Sequence, residues 1–184
     1  MTESSFAKNA ALITQGDMQG LRAIYEEYGK MIYSSVLSIC RDPHTAEDVT
    51  SEFFLKLKKA ASVYREGLGH KKWLLISARN LTFDILRRQR REIPSSVTGG
   101  DEESHPFSDI PDRTDAEEEV TSNVTAEQLL RSLSEEQRNV VHLKVYCGLT
   151  FAEIADVLHI PAGTAAWRYS QGIKKLRKLY EEVR

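Results

Sequence analysis

Residues 149–178 read LTFAEIADVLHIPAGTAAWRYSQGIKKLRK, and this stretch decides the fold. Thr150 can cap a short helix, and Glu153, three residues on, completes a capping box. Ala152, Ile154, Ala155, Val157 and Leu158 give that helix an apolar side, and His159-Ile160-Pro161-Ala162-Gly163 then breaks the pattern. Thr164 is the expected cap of a longer second helix that carries Arg168, Lys174, Lys175, Arg177 and Lys178. Two helices around a short turn, the second one basic, read as a helix-turn-helix whose second helix enters a major groove. From these residues alone an ordinary helical hairpin stays open as the alternative.

Working outward, a C-terminal module assembles around that unit. Thr125-Ala126-Glu127-Gln128 and Ser134-Glu135-Glu136-Gln137 both have capping-box form. They predict helices near 126–132 and 135–146, the second closed by Gly148. Upstream, the chain from Glu92 to Asn123 changes character. It holds Gly99-Gly100, Pro94, Pro106, Pro111 and many acids, with Arg113 as its only base. Such a segment has little means of burying itself and reads as a flexible acidic linker.

Before the linker the pattern is helical again. Residues 7–15 predict a short helix ending near Gly16-Asp17. From Met18, the residues Leu21, Ile24, Tyr25, Tyr28, Ile32, Val36 and Ile39 recur at three- and four-residue steps. Asp42-Pro43 stops that helix and starts the next, as N-cap and first helical residue. The third helix buries Ala46, Val49, Phe53, Leu57 and Ala60, and Glu52 and Lys56 sit at the favourable i, i+4 spacing. After a glycine-marked loop at 65–70, a fourth helix carries Lys71, Lys72, Arg79, Arg87, Arg88, Arg90 and Arg91. That density of cations predicts phosphate contacts. The expected architecture is all-α: two small helical domains, 1–92 and 124–184, joined by the acidic linker at 93–123, with the C-terminal domain a helix-turn-helix. The net charge of -2 over 184 residues then conceals two basic modules behind one acidic tether.

Other classes find little support. The two cysteines, Cys40 and Cys147, are far apart in apolar surroundings, which fits buried thiols in a reducing cytoplasm. No basic start followed by an apolar run marks a signal peptide, and no apolar run can cross a bilayer. The five histidines form no HExxH pattern. His142 and Cys147 lie five apart, which is poor α-helical geometry for sharing a metal. No cofactor, metal or catalytic role is expected. A free-standing helix-turn-helix regulator that reads duplex DNA without polymerase remains the alternative function.

The chain resembles the extracytoplasmic-function (ECF) subgroup of bacterial sigma factors. The resemblance rests on TAEDVTSEFFLKL at 45–57, WLLISARNLTFDILRRQRR at 73–91 and LSEEQRNVVHLKVYCGLTFAEIADVLHIPAGT at 133–164, in that order and spacing. It implies a protein that binds core RNA polymerase and directs promoter-specific initiation, reading the −10 element as a melted strand and the −35 element as duplex. By resemblance, Asp48, Ser51, Glu52, Leu55 and Lys56 face the polymerase. Tyr64, His70, Lys72, Trp73, Arg79, Asn80, Arg87, Arg88, Arg90 and Arg91 serve the −10 strand, with Tyr64 and Trp73 offering stacking faces, although Trp73 sits on the apolar stripe of its helix and is read first as a core residue. Thr164, Ala165, Trp167, Arg168, Gln171, Lys174 and Lys175 serve the −35 duplex, with Trp167 divided between a core role and contact with a thymine methyl. An anti-sigma factor is implied as a further partner.

The linker acquires a purpose from this. Its 32 residues from Glu92 to Asn123 have a relaxed span of about 30 Å and an extended reach of about 105–115 Å. Promoter elements separated by about seventeen base pairs lie about 60 Å apart. The chain departs from the family where Ala165-Ala166-Trp167 and Gln171-Gly172-Ile173 replace a more basic recognition face. Gly172 is expected to cost that helix about 1 kcal/mol. His159 stands where glycine is usual, and histidine tolerates the left-handed turn better than most residues.

Overall fold

The structure, a computed structural model, describes residues 1–92 and 126–183. The linker at 93–123 and the expected cap at Thr125 lie outside the described residues. Four helices come first: α1 (Glu3–Thr14), α2 (Met18–Cys40), α3 (Pro43–Ala60) and α4 (His70–Glu92). Four follow: α5 (Ala126–Arg131), α6 (Glu135–Val141), α7 (Phe151–Leu158) and α8 (Ala162–Val183). No strand occurs among the described residues.

Local chemistry sets most boundaries. The Asp42 carboxylate accepts from the Thr45 N–H and Pro43 opens α3. Ser134 and Thr150 both form reciprocal capping boxes, at the starts of α6 and α7. Two expectations shift. α1 begins at Glu3, because the Thr2 hydroxyl accepts from the Ser5 N–H and nucleates the helix earlier than residue 7. α8 begins at Ala162, so Thr164 lies inside its first turn and does not cap it; the Pro161 carbonyl already accepts from the Ala165 N–H.

α2 is the axis of the first group and packs on α1, α3 and α4. Gly20 permits the α1–α2 approach: a Cβ there would fall 2.4 Å from the Asn9 carbonyl oxygen. α8 is the axis of the second group and packs on α5, α6 and α7. Between α6 and α7 the chain makes one π-helical turn, His142–Tyr146, closed by a bond from the Cys147 N–H to the His142 carbonyl. The two groups are not separate bodies in this structure. α4 packs on α7, α2 packs on the π turn, and one apolar core runs through both, from Phe6 and Ile32 to Val140, Ile154 and Ala165.

Candidate functional site

The outward face of α3 gathers Asp48, Ser51, Glu52, Leu55 and Lys56, spaced so that a helix presents them together. Leu55 is 74% exposed while Phe53, Phe54 and Leu57 on the other side are buried. Glu52 and Lys56 pair at 2.6 Å and, with Leu55, Lys59 and Ala60, line a shallow open groove.

The loop before α4 is held from an unexpected quarter. The Glu3 carboxylate accepts from the Gly67 N–H (2.8 Å), the Gly69 N–H (3.0 Å) and the Tyr64 hydroxyl (3.1 Å). Those bonds hold its pKa below the usual carboxylate value. Above it lies an aromatic cluster. Phe6 meets Tyr64 edge-on at 4.8 Å, stacks on His70 at 5.2 Å and meets Trp73 at 6.2 Å; Tyr64 and Trp73 meet at 5.3 Å. His70 Nε2 lies 2.7 Å from the Tyr28 hydroxyl. The expectation of a free stacking face is therefore corrected for Tyr64, and for Trp73 the structure agrees with the core reading: both rings, and His70 with them, pack around Phe6. Glu3 and Phe6 were missed from sequence. The signal was the i, i+4, i+7 spacing of Phe6, Ala10 and Ile13, all buried.

Along α4 the cations separate. Arg87, Arg88 and Arg91 are exposed, with Arg87 3.8 Å from Asp84. The side chain of Arg90 lies outside the described residues. Asn80 faces solvent, but its neighbour Arg79 is only 8% exposed, with its guanidinium over the Phe83 ring at 4.7 Å. Burial lowers its pKa from the usual arginine value. Lys72 pairs with Asp156 of α7 at 3.0 Å.

In the helix-turn-helix, His159 closes α7 in the left-handed region at φ 55, a conformation that histidine tolerates better than most residues. The recognition face is now assigned by burial. Trp167 is 61% exposed and so is not a core residue, whereas Ala165 is fully buried. Ala165 is thereby removed from the expected base contacts: it packs inward as part of the apolar core. Arg168 pairs with Glu136 of α6 at 2.8 Å, Lys174 is exposed, and Lys175 Nζ donates to the Ser132 carbonyl. Gln171 is half-buried beside them, and Thr164 likewise. Gly172 proves to be a packing residue, since a Cβ there would lie 3.1 Å from Val141 Cγ2 on α6.

The π turn overturns one sequence argument. By routing its hydrogen bonds i to i+5, it brings His142 Nε2 within 3.7 Å of Cys147 Sγ. Both also approach Ser35 of α2, at 3.1 Å and 3.7 Å. Among the described residues no three metal-ligating side chains cluster, and no helix is long and apolar enough to cross a membrane.

Comparison with known proteins matches this geometry. The model of sigma-70 region 2 matches residues 24–92 and that of sigma-70 region 4 matches residues 124–176. The chain is 26% identical to the ECF RNA polymerase sigma factor SigW of Bacillus subtilis, covering 98% of this chain and all of that protein. It is 28% identical to the RNA polymerase sigma-H factor of Pseudomonas aeruginosa, covering 93% and 91% respectively. Among solved structures, CnrH in complex with the cytosolic domain of CnrY gives a TM-score of 0.61 at 16% identity over 97% of this chain and 98% of that one. RpoE of Bartonella quintana, solved with the anti-sigma factor NepR, gives 0.61 at 20% identity over 87% and 96%. These two likenesses speak to the fold. With both region models matched in order across more than half of its length, and relatives aligned end to end, the chain belongs to the ECF sigma factors of the sigma-70 family.

Proposed function

We propose that this sigma factor engages core polymerase through the outward face of α3 and its promoter through two separate surfaces. The observation that carries the reading is the 74% exposed Leu55 among Asp48, Ser51, Glu52 and Lys56. A leucine left in water, on a helix whose Val49, Phe53, Phe54 and Leu57 are buried, gains by burial against a partner.

The −10 strand then runs along α4. Asn80, Arg87, Arg88, Arg90 and Arg91 meet it directly, and Arg79 and Lys72 join when their internal partners release them. Arginines on phosphate supply affinity and register with little sequence information. Tyr64, His70 and Trp73 act as the rigid floor under the 65–69 loop, which Glu3 pins in place, and the loop supplies the base-holding edge. At the −35 element, α8 lies in the major groove. Trp167 reaches a thymine methyl, Arg168 and Gln171 reach base edges or phosphates, and Thr164, Lys174 and Lys175 hold the backbone. The linker bridges the two surfaces while polymerase fixes their spacing. This work belongs to the cytoplasm, where polymerase and promoter are. CnrH, solved with the cytosolic domain of CnrY, and RpoE, solved with the anti-sigma factor NepR, support an anti-sigma partner for this chain also.

In vitro transcription with core polymerase on genomic fragments, with start sites mapped, tests the reading. Leu55→Glu is expected to abolish co-elution with core polymerase while leaving the helical signal unchanged. Unchanged co-elution removes α3 from the interface. Tight, specific duplex binding and regulation without polymerase favour a free-standing regulator.

A further inference from the structure

The loop between Tyr64 and α4 has little of its own to hold its shape. Arg65, Glu66, Gly67 and Leu68 are all exposed, and the turn bond inside the loop, from the Leu68 N–H to the Arg65 carbonyl, is long at 3.4 Å. Gly67 and Gly69 stand in the left-handed region, at φ 98 and φ 74. That backbone brings both of their N–H groups to the same atom, Oε1 of Glu3, which also accepts from the Tyr64 hydroxyl. Three donors on one oxygen suit an ionised carboxylate, which only accepts and whose charge strengthens each bond.

That oxygen is carried on a firm support. Glu3 and Phe6 are three residues apart on α1 and so share a face. Phe6 is fully buried, against Tyr64, His70 and Trp73. α1 is itself seated closely on α2 at Gly20. At the other end of the loop, the Gly69 carbonyl accepts from the Trp73 N–H at 3.0 Å and joins the loop to the first turn of α4. The floor and both ends are therefore fixed, and Glu3 sets the path between them.

We infer that Glu3 is a positioning residue for −10 recognition: by fixing the Gly67 and Gly69 amides it sets the shape of the loop that holds the unstacked base, and so which base the loop accepts. The inference rests on the proposed assignment of the 65–69 loop to the −10 strand. It adds to that loop a determinant 64 residues earlier in the chain than Gly67, on a helix that precedes the residues matched by sigma-70 region 2. Glu3 acts through the loop and touches no DNA. The competing account makes it only an acid in the first turn of α1, complementing the helix dipole. Glu3→Asp separates the two, because aspartate keeps the charge at that turn but is one methylene too short for the loop. Glu3→Gln keeps the length and offers one neutral carbonyl oxygen to three donors.

The test has two arms, both on the full chain. Hydrogen exchange of the free protein reads the loop: Glu3→Asp should speed exchange of the Gly67 and Gly69 amides about tenfold or more, with the thermal midpoint unchanged. Transcription by the holoenzyme reads the consequence, on a promoter found by start-site mapping and on templates with each −10 base changed singly. Glu3→Asp should lower the preference for the cognate template about fivefold or more, with co-elution with core polymerase unchanged, and Glu3→Gln should fall between it and the wild type. Gly67→Ala strains the loop directly, and combined with Glu3→Asp it should cost no more preference than the worse single variant. Leu68→Ala trims the exposed side chain of the loop and tests the underlying reading. If neither Gly67→Ala nor Leu68→Ala changes the preference, the loop does not hold the strand, and the assignment falls with the inference. If they change it and Glu3→Asp does not, the assignment stands and the positioning role is overturned. Unchanged amide exchange, or strictly additive losses in the double variant, overturns it equally.

Discussion

Removing the proton sensitivity of His142 is the sharpest probe of the packing between α2 and the π turn. Its ring stacks on Tyr146 at 5.2 Å, and its Nε2 meets Ser35 Oγ and Cys147 Sγ. Burial pushes its pKa down from 6.5 to about 4. The groups around it do not favour a charge. Ser35 and Ser38 come from α2, Asn139 from α6, the cationic Arg79 from α4, and only Val157 and Leu158 from α7. No carboxylate among the described residues lines the cavity they enclose.

The sign follows directly. The packed chain holds His142 neutral and so binds fewer protons than the unfolded chain. Its contribution is complete above the unperturbed value near pH 6.5 and is lost as pH falls toward 4. The limiting loss is about 3 kcal/mol, and at about pH 5.5 it is about 1.4 kcal/mol. Urea unfolding of the wild type and His142→Gln at about pH 7.5 and 5.5 isolates the effect, because Glu3, Glu27, Asp42 and His70, whose pKa values are also lowered, are common to both chains. The wild type should lose about 1.4 kcal/mol more than the variant on acidification. Parallel losses, or an NMR titration of His142 near 6.5, refute the reasoning.

Other substitutions test other joints. Gly20→Ala gains about 1 kcal/mol of helix propensity but forces a Cβ to 2.4 Å from the Asn9 carbonyl oxygen and 2.9 Å from Leu12 Cβ, so denaturation should register a net loss of about 1–2 kcal/mol. Gly172→Ala meets Val141 Cγ2 at 3.1 Å and Gln137 at ordinary contact distance, and its propensity gain and packing loss should cancel to within about 0.5 kcal/mol in the same assay. Trp167→Ala removes an exposed ring, so stability should change by less than about 0.5 kcal/mol while protection of the −35 region by the holoenzyme in footprinting weakens. Neutralising Asp101, Glu102, Glu103, Glu117, Glu118 and Glu119 as Asn or Gln should shift the ratio of abortive to full-length transcripts; an unchanged ratio reduces the acidic run to a solubilising tether.

What the sequence made legible was the chemistry that acts over a few residues. Asp42-Pro43, the Ser134 and Thr150 boxes and the turn at His159 are decided by groups three or four positions apart, and the structure uses them as read. What escaped was decided across space. Gly172 looks like a helix defect until Val141 of α6 is placed beside it. Trp167 and Ala165, two residues apart, take opposite faces of α8, and only the position of the core tells which. The spacing of His142 and Cys147 argued against their meeting because an α-helix was assumed; one π turn reverses that. The role of Glu3 needed the loop at 67–69 to come round with its N–H groups pointing at α1.

The cations assigned to DNA bear the same lesson into function. Arg168 is held by Glu136, Lys72 by Asp156 and Arg87 lies near Asp84. On the proposed assignment of these cations to DNA, nucleic acid must displace the carboxylates to gain its contacts. Each partly solvated pair contributes up to about 1 kcal/mol. Breaking three on binding would lower affinity by up to about a hundredfold. Counterion release also falls, because part of the positive charge is already neutralised from within. On the proposed assignment, these internal pairs weaken binding to any DNA that does not displace them, in a chain whose net charge is already -2. The proposed polymerase contact would then hold each surface against the strand long enough for its cations to exchange partners.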